Sequence, residues 1–231
     1  MQRAILCLYS TALSVHQSAG AHMNNINNQP QRLDCLILAA GSASRFGGCK
    51  QLADWRGQPL LAATIAAACE LAPERILVVG GAFYPQLLQA LPRLNALANR
   101  ATAIELLEYP AWNLGMGNSL AFAIKELQNS NPVLVLLGDQ PLVSAQDLHN
   151  LYHHWCVNPE RIACASFANT SGVPAIFPAH FKARLYECRG DRGAKSVLMR
   201  YSNQVVPVAM PSAEFDVDTP ADLSKYLKKA I

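Results

Sequence analysis

The chain has 231 residues, 51% hydrophobic and 15% charged, with a formal net charge of +3. That length and apolar content provide for one sizeable core of α/β type. The net charge is too small to draw nucleic acid or membrane by field alone, so functional positive charge has to be local. No apolar run reaches membrane-spanning length. The seven cysteines are odd in number and lack C-x-x-C spacing, which points to a reduced, cytoplasmic protein with buried thiols.

Residues 1–21 hold one arginine, a short apolar stretch (AILCLYSTALSV) and Ala19-Gly20-Ala21, a superficial secretory-signal pattern broken by polar residues. The following AHMNNINNQPQ is polar and Asn-rich, and Met23 within it is an alternative start. Residues 1–31 are therefore expected to be a disordered leader or a mis-assigned start, and 32–231 a single domain.

From Leu33 onward, strand and helix signals alternate. LDCLILAA is a continuous apolar run, as expected of a strand covered on both faces. PLLAATIAAACEL (59–71) reads as a helix opened by Pro59 and stopped by Pro73. RILVVGG (75–81) is a second buried strand, and YPQLLQAL (84–91) a short helix ended by Pro92. IELLEY (104–109) is a third strand, after which WNLGMGNSLAFAIKEL turns from a glycine-rich loop into a helix near Asn118. PVLVLLGDQP (132–141) is the fourth strand. SAQDLHNLYHHW (144–155) opens with Ser144 as N-cap and Asp147 three residues on, a capping-box variant. RIACASF and VPAIF are β-like, and helical pieces at 179–187 and 192–201, a strand QVVPVA and a helix from Pro220 complete the chain. This order predicts a mostly parallel, doubly wound α/β sheet, with ligands beyond the carboxyl ends of its strands.

The loop after the first strand, GSASRFGGCK (41–50), meets neither common phosphate pattern. Lys50 is followed by Gln51 where a Walker loop needs Ser or Thr, and Ser42-Ala43 after Gly41 breaks the dinucleotide fingerprint. Its glycines and serines nevertheless let backbone amides approach an anion, with Arg45 and Lys50 to neutralise a di- or triphosphate. Asp139 ends the fourth strand, where an acid is either a turn residue or a metal ligand; beside a phosphate loop, Mg²⁺ ligation is favoured. Asp218 is the second metal candidate, although Thr219, Pro220 and Asp222 also form a helix start in which it could take part. Asp216 alternates onto the same side. Asn118 and Ser119 in GMGNSL offer groups to a nucleobase or ribose, against the plainer reading of a loop and N-cap. Arg192 and Lys195 in GDRGAK offer a second anion site, against a solvated helix face. His149, His153 and His154 read as helix-surface histidines.

Taken in order, LAAGSASRFGGCKQL, GMGNSL, GDQP, GVPAIF with Pro178, GDRGAK and DVDTPADL resemble the molybdenum cofactor nucleotidyltransferase family, and its cytidylyltransferase branch above all. The resemblance covers about residues 33–230. It implies a Rossmann-like nucleotidyltransferase fold and transfer of CMP from CTP to the terminal phosphate of molybdopterin cofactor, with release of pyrophosphate. It implies that Arg45 and Lys50 hold the triphosphate and that Asp139 and Asp218 bind Mg²⁺, with Mn²⁺ as a substitute; Lys50, Arg45 and Asp139 are then the catalytic set. The nucleotide side would comprise Leu38, Ala39, Ala40, Gly41, Ser42, Gly47, Gly48, Asn118 and Ser119, and the pterin side Gly172, Pro174, Arg192 and Lys195. Ala40 would favour cytidylyl transfer, since Leu-Ala-Gly-Gly accompanies guanylyl transfer. Expected partners are CTP, a molybdopterin-type cofactor and a molybdoenzyme of the xanthine dehydrogenase type. Cys49 departs from the proline common at that position, which loosens the loop and places an oxidisable thiol beside the site. Two other readings stand beside this one: a cytidylyltransferase acting on a sugar or polyol phosphate, and a non-catalytic delivery chaperone for the cofactor.

Overall fold

The computed structural model describes residues 32–97, 102–127 and 130–229. The expected leader lies outside the described residues. β1 (Asp34–Ala39) runs into the glycine loop, a tight helical turn at Lys50–Leu52 and a small hairpin, β2 (Asp54–Trp55) and β3 (Gln58–Pro59). Alternation follows: α1 (Leu60–Cys69), β4 (Arg75–Gly80), α2 (Tyr84–Leu97), β5 (Ile104–Glu108), α3 (Met116–Ile124), β6 (Val133–Leu137) and α4 (Ala145–Val157). β7 (Ile162–Phe167) and β8 (Thr170–Phe177) form a hairpin, followed by α5 (Lys182–Tyr186), α6 (Gly193–Arg200), β9 (Val205–Ala209) and α7 (Pro220–Lys229).

The main sheet has the order β5-β4-β1-β6-β8-β7-β9. β1 is parallel to β4 and β6, β4 to β5, and β7 to β9; β8 runs against both of its neighbours. The mostly parallel α/β sheet expected from the sequence is thus the observed one. Side chains alternate across it as the pleat requires. Cys35 and Ile37, Ile76 and Val78, Leu134 and Leu136 pack on one face under Leu61, Leu87, Leu151 and Trp155 of α1, α2 and α4. Leu36, Leu77, Val79, Val133 and Val135 pack on the other, under Leu120, Leu185 and Val197 of α3, α5 and α6. From the central β1 the chain builds outward through β4 and β5, then returns to lay β6 on the opposite side of β1. The carboxyl ends of β1 and β6 therefore open side by side, the place where such sheets bind ligands.

Three local expectations differ from the structure. Pro92 does not end α2, which continues to Leu97. Pro92 is exposed, where water can serve the carbonyl left unbonded, while Leu87 and Leu94 carry the buried face past it. β8 starts at Thr170, three residues before VPAIF, because Ala168 and Asn169 both take positive φ (44° and 60°) and close a two-residue hairpin. α3 starts at Met116, directly after Gly115, whose φ of 101° sets the entry into the helix. The capping box on α4 is present as expected: Ser144 Oγ accepts the Asp147 amide and Asp147 accepts the Ser144 amide. No described helix is long and apolar enough to cross a membrane.

Candidate active site

A cleft of about 380 Å³ lies over the carboxyl ends of β1 and β6. Its walls include Leu38, Ala39, Ala40, Gly41, Ser42, Arg45, Lys50, Ser119, Asp139 and Asp218, all expected from the sequence. Gly138 donates its amide to Leu38 O at 3.0 Å, tying the exits of the two strands together. At Gly81 the backbone comes so near Ala40 that an added Cβ would stand 2.4 Å from Ala40 O, and the Ala82 amide bonds that same carbonyl at 3.1 Å.

Lys50 is the centre of the cleft. Its ammonium donates to Asp139 Oδ2 at 2.6 Å and to Asp218 Oδ1 at 3.2 Å, and Arg45 donates to Asp218 Oδ2 at 2.8 Å. Burial alone pulls the Lys50 pKa down; Asp139 and Asp218 beside it more than offset this, and the ammonium is held above the ordinary lysine value. The turn that presents it is pinned by the buried Gln51, whose amide donates to Ala39 O at 3.3 Å.

The two acids reach Lys50 by a main-chain link. Val217 donates its amide to Asp139 O at 2.9 Å. The Val217 side chain is fully buried in a separate apolar cluster with Trp55, Leu60 and Tyr226. In an extended segment, inward Val217 leaves Asp216 and Asp218 on the opposite side. Thr219 and Asp222, not Asp218, cap α7: Asp222 accepts the Thr219 amide and hydroxyl at 2.8 Å each, and Thr219 Oγ1 accepts the Asp222 amide. The Asp218 carboxylate is therefore left to Lys50 and Arg45.

Asp139 Oδ1 is buried without a hydrogen-bond partner. A carboxylate with one free buried oxygen, sharing a lysine with a second carboxylate, suits a hard divalent cation. Among the described residues no cluster of three or more His, Cys, Asp or Glu is set to hold a metal. Asp139 and Asp218 would thus supply two oxygens, with water and substrate phosphate completing the shell. Burial first, and then the nearby Asp139 charge, push Asp216 up to about 6. Asp216 is an acid of this cluster that the sequence could offer only as a neighbour of Asp218.

Other residues fall elsewhere than expected. Gly47 and Gly48 do not line the cleft; the Phe46 and Gly47 amides bond Ala43 O within the loop, and Phe46 packs against the Trp55 and Val217 cluster. The Asn118 carboxamide oxygen accepts the Gly190 amide at 2.7 Å. Gly172 and Pro174 are buried in β8, outside the cleft walls, although the register pairing Val135 with Ala175 carries Gly172 toward the same end of the sheet. Arg192 and Lys195 line an adjoining groove of about 770 Å³ together with Met199 and Arg200. Asp191 belongs to both cavities. Cys49 is half-buried beside the turn that presents Lys50, and burial holds its thiol pKa above the ordinary cysteine value. Trp112 and Asn113 also line the cleft; in the sequence the glycines beside them point to Asn118 instead.

A glycine loop after the first strand, two cations within it, one acid from the exit of β6 and one from the segment before α7 define an α/β protein built to handle phosphates at its carboxyl edge. Residues 35–205 match the family of the MobA-like NTP transferase domain, and the chain belongs to that family. It is 36% identical over 151 residues to the bifunctional protein GlmU of Xanthomonas campestris, and 38% identical over 126 residues to that of Stenotrophomonas maltophilia. These matches take in 62% and 52% of this chain but only 30% and 25% of the relatives' length. Its fold is similar to that of Rv0371c from Mycobacterium tuberculosis (TM-score 0.69, 23% identity, 86% of this chain and 99% of that one). It is also similar to 4-diphosphocytidyl-2C-methyl-D-erythritol synthase from Anaerococcus prevotii (TM-score 0.66, 12% identity, 87% and 99%).

Proposed function

We propose that the protein is a nucleotidyltransferase that moves CMP from CTP onto the terminal phosphate of a molybdopterin-type cofactor and releases pyrophosphate. The observation that carries nucleotidyl transfer is the junction of Lys50 with Asp139 and Asp218 at the exits of β1 and β6. A site made to hold polyphosphate and a dication needs cations on a glycine loop and oxygens opposite them, and this cleft has both.

In this reading Gly41 and Ser42 approach the triphosphate through their backbone, while Arg45 and Lys50 neutralise it. Asp139 and Asp218 hold Mg²⁺ or Mn²⁺, which when bound supplies further neutralisation of phosphate charge; Rv0371c has been solved as a manganese complex. An acceptor phosphate oxygen forms a bond to the α-phosphorus in line as the α–β bridging bond breaks. No general base is required, because a phosphate monoester is already largely ionised at neutral pH. The cleft accordingly needs positioning and charge rather than a nucleophilic His or Cys. Ala40 stands at the base end, and the groove with Arg192 and Lys195 receives the anionic acceptor; Gly172 and Pro174, buried in β8, act on the acceptor side only through the strand that carries them.

A second reading has a sugar or polyol phosphate as acceptor. The matches to GlmU at up to 38% identity favour keeping it. The deciding experiment is a panel of nucleoside triphosphates against purified molybdopterin cofactor and polyol phosphates, assayed for pyrophosphate and for the dinucleotide. Pyrophosphate with cofactor and CTP supports the first reading, and release only with polyol phosphates supports the second. Cofactor binding without pyrophosphate under any triphosphate would point to a delivery chaperone.

A further inference from the structure

The cations of the phosphate loop are already engaged by carboxylates of the chain itself. Lys50 holds Asp139 Oδ2 and Asp218 Oδ1, and Arg45 holds Asp218 Oδ2, so only Asp139 Oδ1 of the four carboxylate oxygens is unpaired. The Lys50 side chain is 10% exposed and lies between the two acids rather than reaching into solvent. A dication ligated by Asp139 and Asp218 needs these same oxygens. The ammonium and the metal therefore compete for one place.

We propose that Lys50 is a built-in cation that closes the divalent-metal position of the nucleotide-free protein, and that a triphosphate opens it by drawing Lys50 and Arg45 onto its own oxygens. This rests on the metal assignment made above for Asp139 and Asp218. Two cations cannot pair fully with two carboxylates and a polyphosphate at once, so arrival of the phosphates frees the acids when a dication arrives to replace the lost charge. The parts are suited to that exchange. Gly41, Ser44 and Arg45 are exposed, and no atom crowds Gly41, Gly47 or Gly48. The Lys50 main chain stays fixed through Gln51 while its long stem pivots. Metal and nucleotide then bind with positive coupling, and the coupling is reciprocal.

The test is Mn²⁺ binding to the full chain without nucleotide, followed by calorimetry and by the loss of the free-ion paramagnetic signal. Lys50→Met should bind Mn²⁺ about tenfold or more tightly than the wild type, because a unit charge within about 4 Å of the site has been removed. Lys50→Gln, which retains a donor and guards against a folding defect in the first variant, should do the same. Adding Asp139→Asn to either should abolish the gain. If the wild type alone binds Mn²⁺ as tightly as Lys50→Met, and Asp139→Asn removes that binding, closure by Lys50 is overturned while the metal assignment stands. If no variant shows Asp139-dependent Mn²⁺ binding, with or without CTP, the metal assignment falls with it.

Discussion

Asn118 and Gly190 join the first turn of α3 to a loop 72 residues further on: the carboxamide oxygen of Asn118 accepts the Gly190 amide at 2.7 Å. The contact is doubled by the Gly117 amide, which donates to Gly190 O at 2.6 Å. A Cβ at Gly117 would stand 2.8 Å from the Arg189 backbone, and one at Gly115 would stand 2.5 Å from that of Gly190. The glycines of GMGNSL are thus required by close approach of the second loop. Asn118→Ala should cost about 1 kcal/mol in urea unfolding, the usual worth of one hydrogen bond. Gly117→Ala should cost about 1–3 kcal/mol, as overpacking does. Unchanged stability in both would mean that the loops are not coupled.

Lys50→Ala should leave the circular dichroism spectrum intact and lower turnover by about 10²–10³, the scale for losing one preorganised charge-stabilising donor. The comparison is made with cofactor and CTP at saturating Mg²⁺. Wild-type turnover in the variant would remove Lys50 from the catalytic set.

Ala40 is 6% exposed, lines the cleft and carries a methyl group toward Gly81. On the proposed reading that Ala40 stands at the base end, Ala40→Gly enlarges that end by one methyl, and one such group discriminates ligands by about 10–200-fold. Under the proposed CTP reading, the ratio of kcat/KM values for CTP over GTP should fall by about tenfold. An unchanged ratio would place base selection elsewhere, with Trp112 and Asn113 the nearest alternatives.

On the amino ends of β4 and β5, Arg75 donates twice to Glu105, at 2.7 and 2.8 Å. The Arg75 hydrogen bonds hold the Glu105 carboxyl below the ordinary glutamate value. A carboxyl lowered on folding adds stability above its unfolded pKa and loses it as pH falls through the folded one. Wild type should therefore lose a small increment of stability below the ordinary glutamate range, and Glu105→Gln should lack that increment. The Glu105 side chain is 45% exposed, so the effect is screened and stays below about 1 kcal/mol. Urea titrations of both proteins from acid to neutral pH check the sign.

Some of the site was written locally. Asp139 follows an apolar strand, and Lys50 closes a glycine loop after another, which is enough to place both at the carboxyl edge. Asp218 was ambiguous because a Thr-Pro-x-Asp helix start accounts equally well for an acid beside it. The structure separates the two roles by giving the cap to Thr219 and Asp222. By sequence the Gly47 amide and the Asn118 side chain are open to a ligand; in the structure the Gly47 amide bonds Ala43 O within its own loop and the Asn118 oxygen accepts the Gly190 amide.

The sequence by itself determined the buried strands, the helix caps and the loop chemistry after β1, because periodicity, capping and glycine turns depend on neighbours a few residues away. Only the tertiary structure decided that Lys50 meets acids 89 and 168 residues further on. It also decided that α2 runs through Pro92, that β8 is reversed, and that Arg192 and Lys195 face a separate groove. Those outcomes depend on which strands lie side by side and on which faces the core covers. GSASRFGGCK shows the division: its composition marked it for phosphate, and the fold placed its lysine between two acids.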